Sequence, residues 1–297
     1  MTDIEEPALP RHIVHPGPAT TERVRAVECL AWPVRITLKT GCTINEAIAQ
    51  GFAEQGLEGG YVRLSQVPMR SLNYVMPAAA PDESHAAWYS ETYVMPGGVI
   101  LDAALHAGRR EEKPFLHCHG AWQEPEGRIE MGHLLPFEAE VLEETIVDAI
   151  AISGALFVTR HDTETNFPLF NPEKRPDAVT TEPSASRAIL VTVRPNTDLC
   201  RAVEEICSAF DIRDAQVHGL GSLVGADYED GTSLTAHASE LYIRNGTVTQ
   251  QNGSCHAALD IAMVDLTGRH SHGLLKRGLN PVCVTAEILI VESKHAA

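Results

Sequence analysis

Two stretches of the chain carry the same hydrophobic rhythm. From Val34, VRITLKTGCTINEAIAQGFAEQGLEGGYVRL opens with strand-like alternation, passes a turn, and continues with apolar residues at helical spacing. From Ile189, ILVTVRPNTDLCRAVEEICSAFDIRDAQVHGL does the same, with Leu199, Ala202, Val203 and Ile206 three and four apart. At an offset of 155 residues Thr37 meets Thr192, Leu38 meets Val193, Ile44 meets Leu199, Ala47 meets Ala202 and Val62 meets Val217, with no gap. Each copy therefore predicts strand, helix, strand. Thr43 and Asp198 are suited to cap the helix N-termini, because their side-chain oxygens can accept from backbone N–H groups of the first turn. Glu46, three residues after Thr43, completes a capping box, whereas Arg201 in the second copy does not.

The copies also end alike. HCHGAWQEPEGRIEMGHLL in the first is followed by an apolar strand region, and ALDIAMVDLTGRHSHGLLKRG in the second by VCVTAEILIVE. An internal repeat of this size predicts an α+β chain of two homologous domains, 24–170 and 187–293. The segment 171–186, rich in Pro, Ser, Thr and charge, reads as the linker, and residues before about 24 as an arm outside the core. GLGSLVG, from Gly219, is followed by ADYEDG rather than a helix, so it reads as turn geometry and not as a dinucleotide loop.

Composition narrows the function. Apolar residues make up 44%, enough for a folded core, and the net charge of −17 disfavours nucleic acid and anionic membrane surfaces as partners. Seven scattered cysteines without a CxxC point to free thiols in a reducing compartment. The N-terminus lacks signal-peptide features, and IVDAIAISGALFV is too short to span a bilayer, so the expected location is cytoplasmic.

The candidate chemistry lies in PFLHCHGAWQEPEGRIEMGHLL. Strand alternation puts Leu116, Cys118 and Trp122 on one face and His117 and His119 on the other. Two imidazoles so placed suit one Zn²⁺. Whether His133 joins them depends on the hairpin. A loop centred on Glu126 sets His133 opposite His119, and a one-residue slip sends it to the other face. Three neutral imidazoles favour zinc, with nickel or iron as alternatives, and leave a coordination position for water or substrate. Glu144 and Glu287, in apolar strands after the two histidine segments, are reserve candidates for a base or for a carboxylate that orients an imidazole.

HxH, then a Gly eight residues on, then GHLL resembles the plant and prokaryote conserved (PPC, DUF296) domain, and VHGLGSLVGA, GRHSHGLLKRG and TAEILI extend the resemblance to the second half. The resemblance implies a mixed, mostly antiparallel sheet flanked by helices in each domain. It also implies trimeric association (a dimer being the alternative), zinc on the His triad as in some prokaryotic members, and a distant fold relation to α-acetolactate decarboxylase. Plant members join the domain to AT-hooks, yet no RGRP-like run occurs here. In the second copy the triad is degenerate: Ala258 and Asp260 replace the HxH histidines and His272 is matched to His133, with His270 and His256 nearby. The resulting expectation is a small-molecule site on the first domain. If it is catalytic, it belongs to a metal-dependent lyase or hydrolase; the alternatives are a DNA-binding regulatory protein or a metal-free scaffold.

Overall fold

The computed structural model describes residues 11–175 and 182–294. Its first half runs β1 (Val24–Leu38), α1 (Ile44–Ala53), β2 (Gly60–Val75), β3 (Gly98–Arg110), β4 (Lys113–Gln123), β5 (Ile129–Leu134), β6 (Thr145–Ser153), β7 (Ala155–His161) and β8 (Pro168–Lys174). The second runs β9 (Ser186–Val193), α2 (Leu199–Ala209), β10 (Ala215–Leu223), β11 (Ser239–Gln251), β12 (Ser254–Asp265), β13 (His270–Leu274) and β14 (Val282–Glu292). The α+β expectation is met in a sheet-dominated form, with one helix per half among the described residues.

Both helices begin as their caps dictate. The Thr43 side chain accepts from the Glu46 N–H while Glu46 reaches back to the cap backbone, and Asp198 accepts from the Arg201 N–H. Each helix lays its apolar face on its own sheet: Ile44, Ala47, Ile48 and Phe52 are fully buried in the first half, Leu199, Ala202, Val203 and Cys207 in the second.

The two halves do not carry separate sheets. β1 continues past its own half and pairs antiparallel with β9, Val24 opposite Val193 through Ala31 opposite Ser186. One sheet results, in the order β8-β7-β3-β4-β5-β2-β6-β1-β9-β14-β10-β11-β12-β13. Within the first half β2 pairs with β3 along its start and with β5 at Tyr74 and Val75, closing β2-β3-β4-β5 into a ring. This ring holds the histidine hairpin.

Three expectations change. The linker reading of 171–186 falls partly on strands, since Asn171–Lys174 belong to β8 and Ser186 opens β9, while 176–181 lie outside the described residues. The described part of the N-terminal arm, from Arg11 on, is packed: Ile13 is 2% exposed, its backbone N–H donates to Asn196, and Arg11 pairs with Asp227 at 2.7 Å. Gly219 and Gly221 lie within β10, where the β14 backbone comes so close that added Cβ atoms would meet Glu287 O at 2.3 Å and Thr285 O at 2.5 Å. Glycine there permits strand contact; the turn proper is at Gly225, with φ +66°.

Candidate metal centre

The β4–β5 hairpin turns through Glu124–Arg128, with Gly127 at φ +93° and an ion pair between Arg128 and Glu124 at 2.7 Å. This loop is centred on Glu126. It sets His119 directly opposite His133, and His117 lies two residues upstream on the same face. On the other face Leu116, Cys118 and Trp122 are buried, and Gly120 packs so tightly on Ala103 that a Cβ would sit 2.3 Å away. The core beneath fixes the direction of the imidazoles above.

The three side chains converge, each offering one ring nitrogen within 4.8 Å of the others. His117 Nε2 is 3.0 Å from His119 Nε2, which is 3.2 Å from His133 Nδ1. Two nitrogens bound to one zinc at about 2.0–2.1 Å in tetrahedral geometry lie about 3.3–3.4 Å apart, so the fit is close. The outer nitrogens decide the tautomers. His117 Nδ1 donates to Glu287 Oε2 at 2.8 Å, and His119 Nδ1 donates to the Leu241 carbonyl at 2.9 Å. Each Nε2 is then a bare lone pair. Two lone pairs facing each other at 3.0 Å repel, and a shared cation removes the repulsion. The donor set therefore fits a divalent transition metal.

Burial, reinforced by the neighbouring imidazoles, holds His119 well below the usual histidine value, and burial with His117 does the same for His133. His106, opposite His117 on β3, is pushed down to about 3 by burial and bonds the Glu287 carbonyl at 3.1 Å. Neutral rings are the form a metal requires.

The histidines line a cavity of about 340 Å³. Trp88, Tyr89, Phe115, Phe167 and Phe170 supply an aromatic wall from the first half; Ser222, Ser239, Glu240 and Thr285 supply a polar wall from the second. Trp88 and Tyr89 come from 76–97, a connection longer than its counterpart 224–238. A larger cavity of about 600 Å³ beside Trp32, Leu57 and Arg175 contains none of the three histidines, so we assign the site to the smaller one.

Glu144 is exposed in the turn before β6 and does not line the cavity, whereas Glu287 does. In the second half Leu274, not His272, stands opposite Asp260, just as His133 stands opposite His119. His272 faces Ala262 across the ladder and is exposed, while Asp260 lies 3.8 Å from Arg244. His270 pairs with Val264 and His256 with Thr249, farther along the same strand. The Asp260/His272 pairing is thus displaced by two residues from the triad's register. Among the described residues, the triad is the one group of three or more ligating side chains close enough to share an ion.

Sequence reading missed Glu240 and the Leu241 carbonyl. Glu240 is 6% exposed, its Oε1 is 3.8 Å from both His119 Nε2 and His133 Nδ1, and its Oε2 has no hydrogen-bond partner in the protein. Burial raises its carboxyl well above the usual range. The available signal was a charged residue inside the apolar run SELYI.

Comparison with known proteins agrees with the resemblance. Residues 180–294 match the Plants and Prokaryotes Conserved (PCC) domain. No curated protein matches. Solved structures similar to this chain include a metal-containing protein from Archaeoglobus fulgidus, 18% identical, covering 47% of this chain and 92% of that one, TM-score 0.38. A plant- and prokaryote-conserved protein from Pyrococcus horikoshii is 21% identical over 40% of this chain and 86% of that one, TM-score 0.31. A protein from Ralstonia eutropha described as a candidate DNA-binding protein is 12% identical over 46% of this chain and 89% of that one, TM-score 0.34.

Proposed function

We propose that the chain is a tandem PCC protein whose first half holds one zinc ion on His117, His119 and His133, beside a cavity for a small oxygenated molecule. The single observation that carries this reading is the pair of bare imidazole nitrogens 3.0 Å apart, with their outer nitrogens engaged by Glu287 and Leu241. When bound, such an ion supplies Lewis-acid polarisation of a carbonyl or activation of water, the chemistry of lyases and hydrolases. The chain's own residues do the rest. Glu287 and the Leu241 carbonyl hold the ring orientations, the aromatic wall excludes water from an apolar ligand segment, and the polar wall receives its oxygen atoms.

Elemental analysis of the purified full chain tests the reading. One equivalent of zinc or another transition metal is expected, and less than a tenth of that in His119→Ala. Metal-free wild-type protein that also fails to take up added zinc would leave a scaffold. Self-association, as a trimer or a dimer, belongs to the same proposal and is read by light scattering. The other reading, DNA binding, draws on the description of the Ralstonia eutropha protein; no AT-hook run carries it here.

A further inference from the structure

The two halves differ at the site in a coordinated way. Ladder registers set the equivalences without any alignment. His119 opposite His133 corresponds to Asp260 opposite Leu274, so Ala258, two residues upstream, stands for His117. Gln123 faces Ile129 as Val264 faces His270, and their partners on the preceding strands are Val99 and Glu240. Thr37 faces Ile146 as Thr192 faces Glu287. The histidines of the first half thus meet two carboxylates of the second, while at the reciprocal positions both sets are gone. The carboxylates occur only where they face the triad.

Glu287 is accounted for by His117. Glu240 is not. A carboxyl group buried with an oxygen lacking any partner is unfavourable unless something completes it. At 3.8 Å its other oxygen is too far from His119 and His133 for a hydrogen bond. The neighbouring polar groups are committed: Ser239 Oγ donates to the Leu223 carbonyl, Ser222 Oγ accepts from the Val284 N–H, and Thr285 Oγ1 donates to Glu287. Among these wall residues Glu240, which also lines the cavity, is the one with a buried side-chain oxygen that has no hydrogen-bond partner.

Resting on the metal reading above, we infer that Glu240 is the ligand-contacting residue of the site. It holds a proton-bearing oxygen or nitrogen of a small oxygenated ligand (an alcohol, hydroxamate or amide group) seated over the triad. It is neither a metal ligand nor a structural group.

The test uses the full chain loaded with Co²⁺ and titrated with acetohydroxamic acid, read by the cobalt visible absorption. Glu240→Met keeps the volume and removes the polar atoms; Glu240→Gln keeps a hydrogen-bonding group. The expected result is a loss of at least tenfold in acetohydroxamate affinity for Glu240→Met and a smaller loss for Glu240→Gln. Cobalt affinity should stay within threefold of wild type, and neither variant should melt lower than wild type. Unchanged probe affinity in Glu240→Met would overturn the role. So would a cobalt affinity that collapses as in His119→Ala, which would make Glu240 a metal ligand, or a lowered melting temperature in both variants, which would make it structural. A wild-type chain that takes up no cobalt would remove the metal reading and this role with it, an outcome distinct from a loaded protein indifferent to Glu240.

Discussion

Replacing Glu287 by Gln isolates what the second half does for the triad. Glu287 is 1% exposed and accepts from His117 Nδ1 at 2.8 Å, fixing the tautomer that leaves Nε2 bare. A neutral amide accepts a weaker hydrogen bond and can turn its NH₂ toward the ring, favouring the wrong tautomer. Loss of such an outer partner typically weakens metal binding about 10- to 100-fold. Tenfold is about 1.4 kcal/mol. With free zinc at about 100 times the wild-type dissociation constant, binding stabilises the native state by about 2.7 kcal/mol; a tenfold weaker site leaves about 1.4 kcal/mol. The zinc-induced rise in Tm should therefore fall by about half in Glu287→Gln. Competition against a chromophoric chelator gives the affinity directly, and paired melts with and without zinc give the stability arm. A folded Glu287→Gln protein that binds zinc within twofold of wild type would refute the tautomer argument.

Other outcomes follow from the same geometry. Arg194→Met breaks a buried pair with Asp162, side chains 14% and 3% exposed, and should cost about 3 kcal/mol at neutral pH by urea denaturation. Burial opposes ionisation of Asp162, but the bonds from Arg194 and Thr165 outweigh it and hold the carboxyl below its ordinary value. That stability is present above about pH 3.9 and is lost as pH falls through the depressed folded value. The difference between wild type and Arg194→Met should accordingly shrink in acid; a difference that grows would contradict the assignment. Gly120→Ala drives a methyl to 2.3 Å from Ala103 Cβ and should destabilise by about 1–3 kcal/mol while weakening metal uptake through His119. With net charge −17, binding to random duplex DNA at about 0.15 M salt should be no tighter than about 10 μM; tight binding with a steep salt slope would restore the DNA reading.

Much of the architecture could be read from residue order because it is encoded locally. The capping box at Thr43 and Glu46, the helical spacing of Leu199, Ala202 and Val203, and the inward Leu116, Cys118 and Trp122 all depend on neighbours within a few positions. The register of His133 was open because one residue of loop reverses a strand's faces, and the left-handed Gly127 settles it. For the second half, the tempting HSH of GRHSHG drew the match to His272, whereas ladder register selects Leu274. Glu240 and Leu241 were beyond local reasoning for another reason, and Glu287 could be named only as a reserve carboxylate without its partner. Their relevance arises only when β11 and β14 pack over β4 and β5, a contact between residues more than a hundred positions apart. The same distance concealed the pairing of β1 with β9, which joins two expected sheets into one.

That seam has a consequence for how the molecule can be taken apart. With imidazoles on one side and their acceptors Glu287 and the Leu241 carbonyl on the other, prying the halves apart would strip His117 and His119 of the partners that set their tautomers, so a bound cation and the join would support each other. Either fragment, produced alone, carries half of the apparatus. Mixing the two should recover metal retention only to the extent that Val24–Ala31 can zip onto Ser186–Val193 again.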